Sequence, residues 1–170
     1  MRNLYSALTI AFLLLVAGCA QSVEPFSPAH IDRSISQSGF PVAIDPGHVG
    51  QYPGNAKSGA GYFYDEVLEY RVWMDPDDGA ARLAGDGAYF AAFAQYERAL
   101  AYSQATKGAE PPLVLIRQVE SVNEPSPGIF EWDRTERTTE WQVQWLKGAK
   151  RLPASIPAFL KAHQVSAAKT

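Results

Sequence analysis

The stretch VLEYRVWM, residues 67–74, alternates between two sets of side chains in the way that an amphipathic β-strand does. Its even-numbered residues are all apolar or aromatic, and in a strand they would point to one face of a sheet. Its odd-numbered residues include the charged Glu69 and Arg71, which would point to the opposite face. The stretch therefore predicts a strand with one face in a hydrophobic core and charged groups on the reverse face.

Two further segments extend this predicted sheet. Leu113 to Val119 is an almost continuous apolar run, which is typical of a central strand. Thr139 to Trp145 alternates again, and we expect Trp141 and Trp145 on its core face. Pro41 to Ile44 could add a short strand, and residues 121–138 form a loop or a hairpin because prolines and a glycine interrupt them.

One main helix is predicted between these strands. Asp86 is a residue type that favours helix N-caps, and residues 88–104 follow it with helical periodicity. Four residues of that segment would share the core face: Tyr89, Phe93, Tyr96 and Leu100. A short C-terminal helix is expected from Ile156 to His163. The sequence thus predicts an α+β fold with one main helix packed on a mostly antiparallel sheet, after an N-terminal signal helix, with residues 40–165 as a single globular domain.

Composition excludes some classes of partner. The 170 residues carry a formal net charge of −3 and include no basic run, so we expect no nucleic-acid binding. Hydrophobic residues make up 46% of the chain, which is enough for a well-filled core. Cys19 is the one cysteine of the sequence, so no disulfide can form within the chain.

The first residues have the pattern of an export signal. Arg2 precedes a mostly apolar run from Leu4 to Ala17, which is shorter than the roughly 20 residues that a membrane-spanning helix needs. The run ends in VAGC, residues 16–19, which resembles the lipobox of bacterial lipoproteins. That resemblance implies a signal peptide over residues 1–18, lipidation of Cys19 and a flexible tether over residues 19–39. Ala20 after the cysteine resembles lipoproteins of the outer membrane, so the domain would face the periplasm on a lipid anchor.

A glycine-containing loop provides one hypothesis about activity. The segment RLAGDG, residues 82–87, resembles the coenzyme A loop of GNAT N-acetyltransferases, in which backbone amides and a helix N-terminus hold a pyrophosphate. Residues 47–161 as a whole resemble a small bacterial family whose members usually carry that GNAT label. The resemblance implies acyl transfer from acetyl-CoA, with Arg82, Gly85 and Gly87 at the cofactor.

Two weaker resemblances suggest catalytic candidates. The segment VAIDPGH, residues 42–48, resembles the strand and zinc histidine of cell-wall N-acetylmuramoyl-alanine amidases, which makes His48 a candidate. A catalytic zinc needs about three protein ligands, and the sequence offers no matching set around His48, so no metal site is predicted. Arg71, the aromatic pair at residues 89–90 and Glu140 resemble the layout of ADP-ribosyltransferase-like folds. Arg71 and Glu140 could equally form an ion pair between strands.

The rival class of function is a non-catalytic binding or structural lipoprotein of the cell envelope, with a small-molecule or envelope partner. Its site would be the glycine-rich loop of residues 47–61, where Tyr52, Asn55 and Lys57 could supply polar contacts. The arrangement of four side chains separates the classes. These side chains are those of His48, Glu66, Glu69 and Arg71. If they cluster around one cleft, an enzyme is favoured. If they are scattered, a binding protein is favoured.

Overall fold

The computed structural model describes residues 38–54, 59–83 and 87–167, with side chains described as far as His163. The chain divides into a unit of Met1–Ile31 and a unit of Asp32–Thr170, and every described residue belongs to the second. The predicted signal helix, Cys19 and nearly all of the tether lie outside the described residues, so these predictions stay predictions.

The domain has a mixed α+β fold. Its strands and helices, in chain order, are β1 (Glu66–Met74), β2 (Tyr89–Phe93), α1 (Tyr96–Ala105), β3 (Leu113–Gln118), β4 (Ser121–Ser126), β5 (Ile129–Asp133), β6 (Arg137–Gln142) and α2 (Ser155–Ala167). Four strands form an antiparallel sheet in the order β2-β1-β3-β6, and β4 and β5 form a separate hairpin. The predictions of a strand over residues 67–74, a central strand near residues 113–119, a hairpin within 121–138 and a C-terminal helix are confirmed.

The hydrophobic core lies on one face of the four-stranded sheet. Tyr70 of β1 is in register with Phe93 of β2 and Val114 of β3, and Val114 is in turn in register with Trp141 of β6. All four side chains are buried, and helix α1 packs over this face through the buried Ala99. The predicted alternation therefore holds along most of β1. A bulge at residue 68 breaks it near the start of the strand, because Val67 joins the core although it was expected on the reverse face.

The predicted helix over residues 88–104 is wrong in its first half. Tyr89–Phe93 is strand β2, which pairs with β1 from Met74 to Tyr70, and helix α1 begins only at Tyr96. The segment reads Tyr-Phe-Ala-Ala-Phe, and its aromatic residues favour a strand when the edge of a neighbouring strand is available for pairing. Strand β2 therefore separates Asp86, along the chain, from the helix that Asp86 was expected to cap.

Two smaller strand predictions also need correction. Residues 41–44 form no strand, although the backbone N–H of Ala43 donates to Ala94 and that of Ile44 donates to Val67. Strand β6 ends at Gln142, and Val143–Leu146 forms a short 3₁₀ turn. That turn rotates Trp145 out of the core, so that 46% of its surface is exposed.

The C-terminal helix packs beside the hairpin rather than on the main sheet. Phe159 of α2 lies 5.1 Å from Phe130 of β5 and 5.1 Å from Tyr62, measured between ring centroids. The two helices in the described ranges therefore have separate packing partners, since α1 packs on the main sheet and α2 packs beside the hairpin. No helix in the described ranges is long and apolar enough to cross a membrane.

Candidate binding site

The reverse face of the sheet carries a buried cluster of charges. Arg71 on β1 donates from Nε to Oε1 of Glu69 and from Nη1 to Oε1 of Glu140, both over 2.7 Å. Glu69 and Glu140 lie in one row across the sheet, because both are in register with Leu115 of the intervening strand β3. Arg71 lies two residues after Glu69 on β1, and its guanidinium bonds both carboxylates of that row. The structure thus brings together two catalytic candidates of the sequence analysis, Arg71 and Glu140.

Gly50 and Pro53 of the glycine-rich loop contact this cluster. Gly50 donates its backbone N–H to Glu69 over 2.6 Å, and Arg71 donates from Nη2 to the carbonyl of Pro53 over 2.9 Å. Trp73 donates its indole N–H to Glu140 over 3.1 Å, and Phe90 of β2 covers the guanidinium at 4.3 Å. The side chains of the three charged residues are at most 1% exposed. Their polar atoms are used within the protein, so the cluster holds the loop on the sheet and presents no surface to a substrate.

The other candidates of this group lie elsewhere. His48 is exposed, and its ring meets that of Tyr52 edge to face at 4.7 Å. Glu66 forms an ion pair with Arg117 at 3.1 Å rather than joining Glu69. The arrangement of four side chains was expected to distinguish an enzyme from a binding protein. Glu69 and Arg71 cluster in a closed interior, and His48 and Glu66 do not. Among the described residues, no group of three or more His, Cys, Asp and Glu side chains is placed to hold a metal ion.

The predicted coenzyme A loop lacks its helix. Arg82 is exposed and forms an ion pair with Asp77 at 3.2 Å. Gly87 is exposed, and a Cβ atom there would meet no described neighbour within 4 Å. Gly85 lies outside the described residues. The segment that comes next is strand β2, so the helix N-terminus that would face a pyrophosphate is not next to this loop. Acetyl-CoA binding at Arg82, Gly85 and Gly87 stays a prediction, without the helix on which its physical argument depended.

An open cavity of about 580 Å³ lies at the end of strand β6, and we call it the aromatic cavity. Its volume falls within the range of roughly 300–1,000 Å³ that is typical of ligand pockets. Its walls are mostly aromatic rings and glycine backbone. They comprise Gly61, Tyr62, Phe63, Trp141, Trp145, Lys147, Gly148, Ala149 and Phe159.

The two tryptophans of the aromatic cavity have different roles. Trp141 is only 2% exposed and donates its indole N–H to the carbonyl of Ala60 over 3.1 Å, so it forms the floor. Trp145 is 46% exposed, and its ring centroid lies 6.2 Å from that of Trp141. A Cβ atom at Gly59 would lie 2.6 Å from the ring of Trp145. The missing side chain at this glycine therefore lets Trp145 stand against the backbone with one side toward solvent.

The electrostatics of the aromatic cavity come from two side chains. The Nζ atom of Lys147 lies 5.7 Å from the centroid of the Phe40 ring, within reach of a cation–π interaction. Tyr62 donates its hydroxyl to Glu124, and this hydrogen bond is the main cause that raises the pKa of Tyr62 and lowers the pKa of Glu124. The phenol of Tyr62 is therefore held protonated at neutral pH.

Sequence reasoning missed most of this cavity. The Thr139–Trp145 alternation contains both tryptophans, but it predicted Trp145 in the core. Tyr62, Lys147 and Phe159 come from three separate segments that no periodicity connects. The feature that points to this site is the closeness in space of Gly59 and Gly61 to two tryptophans that are four residues apart. That closeness is visible in the fold and not in the sequence.

Comparison with protein-family models, with curated proteins and with solved structures gives no match to this chain.

Proposed function

We propose that this chain is a lipid-anchored lipoprotein of the bacterial cell envelope whose α+β domain binds a ligand in the aromatic cavity without catalysing a reaction on it. The anchor rests on the segment VAGC, residues 16–19, and on Cys19 as its lipid-bearing residue. Two or more acyl chains give stable membrane anchoring. Ala20 supports attachment to the outer membrane with the domain in the periplasm.

One observation carries the binding proposal. The aromatic cavity offers large exposed rings, but the described residues that line it include no carboxylate, histidine, cysteine or serine side chain. Lys147 and Tyr62 are the ionisable groups of this lining, and the hydrogen bond to Glu124 raises the pKa of Tyr62. General acid–base catalysis most often uses His, Glu or Asp side chains, which this lining lacks. A cavity of this composition is suited to bind through apolar contact and ring stacking rather than to transfer protons.

The enzymatic hypotheses have less support. The ADP-ribosyltransferase-like hypothesis needs Glu140 to reach a ribose, but Glu140 lies under the glycine-rich loop and is engaged by Arg71 and Trp73. The acetyltransferase hypothesis needs a helix N-terminus after Gly87, where β2 begins instead.

The binding proposal is tested by titrating the full-length protein in lipid nanodiscs with an anionic aromatic dye, anilinonaphthalene sulfonate. The dye suits an aromatic wall beside Lys147, and we expect a saturable rise in its fluorescence that Trp145→Ala removes. Ile44→Ala is the matched control, because Ile44 is an exposed apolar residue that does not line the aromatic cavity. Equal dye signals from Trp145→Ala and wild type would overturn the proposal.

The acetyltransferase alternative is tested by thermal shift with acetyl-CoA. A ligand at a hundredfold excess over its Kd stabilises the folded state by about 2.7 kcal/mol. We expect no shift. A saturable shift that Gly85→Val removes would overturn the non-catalytic proposal in favour of acyl transfer.

The lipid anchor is tested by labelling cells with radioactive palmitate. We expect label on the wild-type protein and none on Cys19→Ala. An unmodified Cys19 in protein taken from the envelope would contradict the anchor and leave the binding proposal standing.

A further inference from the structure

A second cavity adjoins the aromatic cavity and has a different chemistry. This polar cavity measures about 540 Å³ and is lined by Gly59, Ala60, Gly61, Tyr62, Asn123, Glu124, Pro125 and Arg137. Gly61 and Tyr62 belong to both linings. The backbone of residues 59–62 therefore runs between an aromatic wall on one side and a polar wall on the other.

Glycine makes this division possible. Gly61 has a φ of +80°, which side chains other than glycine rarely adopt, and a Cβ atom there would lie 2.7 Å from Nη2 of Arg137. The guanidinium can therefore lie directly against the backbone. At Gly59 the ring of Trp145 does the same on the aromatic side. The two faces that a ligand would meet are thus held within one short segment of chain.

The polar wall is held rigid before any ligand arrives. Arg137 donates from Nε to Gln118 over 2.8 Å and from Nη2 to Ser121 and Asn123 over 2.9 and 2.7 Å. Glu124 accepts from the hydroxyl of Tyr62 with one oxygen and from the backbone N–H of Gly128 with the other. Each carboxylate oxygen can accept a further hydrogen bond, so Glu124 can still bind a hydroxyl group. A wall that is already ordered costs little further entropy on binding.

The charges of this wall favour a neutral ligand. Arg137 is balanced by Asp133, whose carboxylate lies 3.5 Å from Nη1. Glu124 adds an exposed negative charge, which would repel a phosphate or carboxylate. A neutral ligand that offers both apolar C–H faces and hydroxyl groups satisfies both walls at once. Sugars have this composition, since the C–H face of a pyranose packs on an aromatic ring while its hydroxyls bind carboxylates and amides.

We infer that the two cavities together bind a neutral oligosaccharide, with one sugar ring against Trp145 and Tyr62 and hydroxyl groups of the neighbouring sugar on Glu124 and Arg137. This inference rests on the proposed function, because it names the ligand class of the same aromatic cavity. In the cell envelope such neutral sugars occur in two glycans, as the N-acetylglucosamine units of the cell-wall polymer and as the uncharged sugars of lipopolysaccharide.

The inference is tested by calorimetric titration of the full-length product in nanodiscs with the tetramer of N-acetylglucosamine. We expect saturable binding that Trp145→Ala and Glu124→Gln each weaken by at least about tenfold, or about 1.4 kcal/mol. Ile44→Ala should bind as wild type does. Circular dichroism on each variant checks that the fold is intact.

The dye titration on the same preparation separates the two levels of the proposal. A dye signal that depends on Trp145 without any tetramer binding would overturn the oligosaccharide inference and leave the proposed function standing. If the wild-type protein gives neither the dye signal nor tetramer binding, the proposed function itself is overturned. Tetramer binding that neither variant weakens would place the sugar elsewhere and overturn the inference. Sedimentation with purified cell-wall polymer, compared with binding to lipopolysaccharide, assigns the source, and either result supports the inference.

Discussion

Replacing Arg71 by methionine should destabilise the domain severely, because it removes the cation that bonds two buried carboxylates. Arg71 is 0% exposed and bonds Glu69 and Glu140 at 2.7 Å each. Removing one partner of a buried ion pair typically costs about 3–5 kcal/mol, since the remaining charge stays buried without compensation. Here two carboxylates lose that compensation, and the loop loses its bond from Arg71 to Pro53, so we expect the upper part of this range.

Arg82→Met is the matched control for this prediction. It makes the same chemical change at an arginine whose side chain is 57% exposed and whose partner Asp77 is 86% exposed. Exposed ion pairs typically contribute about 0–1 kcal/mol, so this variant should be close to wild type.

Urea denaturation followed by tryptophan fluorescence measures both variants. In a parallel thermal melt each kcal/mol lowers the Tm of a chain of this length by roughly 2–4 °C, so a cost of about 4–5 kcal/mol should lower the Tm of Arg71→Met by roughly 8–20 °C. If Arg71→Met unfolds within about 1 kcal/mol of Arg82→Met, the charge cluster is open to solvent and the reasoning is refuted. A gain in stability would also refute it, because strained functional sites often become more stable on substitution.

Three further predictions concern the core, the domain boundary and the link between the cavities. Trp141→Ala should cost about 3–5 kcal/mol in urea denaturation because Trp141 is buried, whereas Trp145→Ala should cost far less because Trp145 is half exposed; equal costs would refute the assignment of floor and exposed wall. A chain that begins at Phe40 should unfold cooperatively, since the Phe40 ring already packs on Tyr96 at 4.9 Å, and loss of its thermal transition would show that the tether contributes to the core. Glu124→Gln should lower the pKa of Tyr62 toward its ordinary value in an alkaline NMR titration, because the bond to the carboxylate raises it; the pKa of Glu124 is lowered in the fold, so the carboxylate's contribution to stability is present at neutral pH and is lost as the pH falls through that lowered value.

The main strands could be predicted because their signals are local. The alternation over residues 67–74 indicates a strand with two unlike faces. The apolar run from Leu113 indicates a strand that is buried on both faces. Strand β2 could not be predicted in the same way. The spacing of Tyr89, Phe93 and Tyr96 fits a helical face, and the edge of β1 that turns Tyr89–Phe93 into a strand is contributed by residues about twenty positions earlier.

Only part of the site could be predicted from the sequence. Arg71 and Glu140 were selected as a pair, and they do meet, but their burial depends on the loop that folds over them. The aromatic cavity depends on a turn after Gln142 that exposes Trp145 and on glycines at 59 and 61 that leave room for larger neighbours. No periodic pattern encodes such close approaches, because they arise between segments that are distant in the chain.

The central claim, that the aromatic cavity is where this protein binds its ligand, is tested most directly by fluorine NMR on protein labelled with fluorotryptophan. The sequence contains four tryptophans, so each resonance can be assigned by substitution. On titration with anilinonaphthalene sulfonate, we predict saturable shifts for Trp141 and Trp145 and none for Trp73 or Trp132. A shift at Trp73 with none at Trp145 would place the ligand on the charge cluster of Arg71 and would contradict the account.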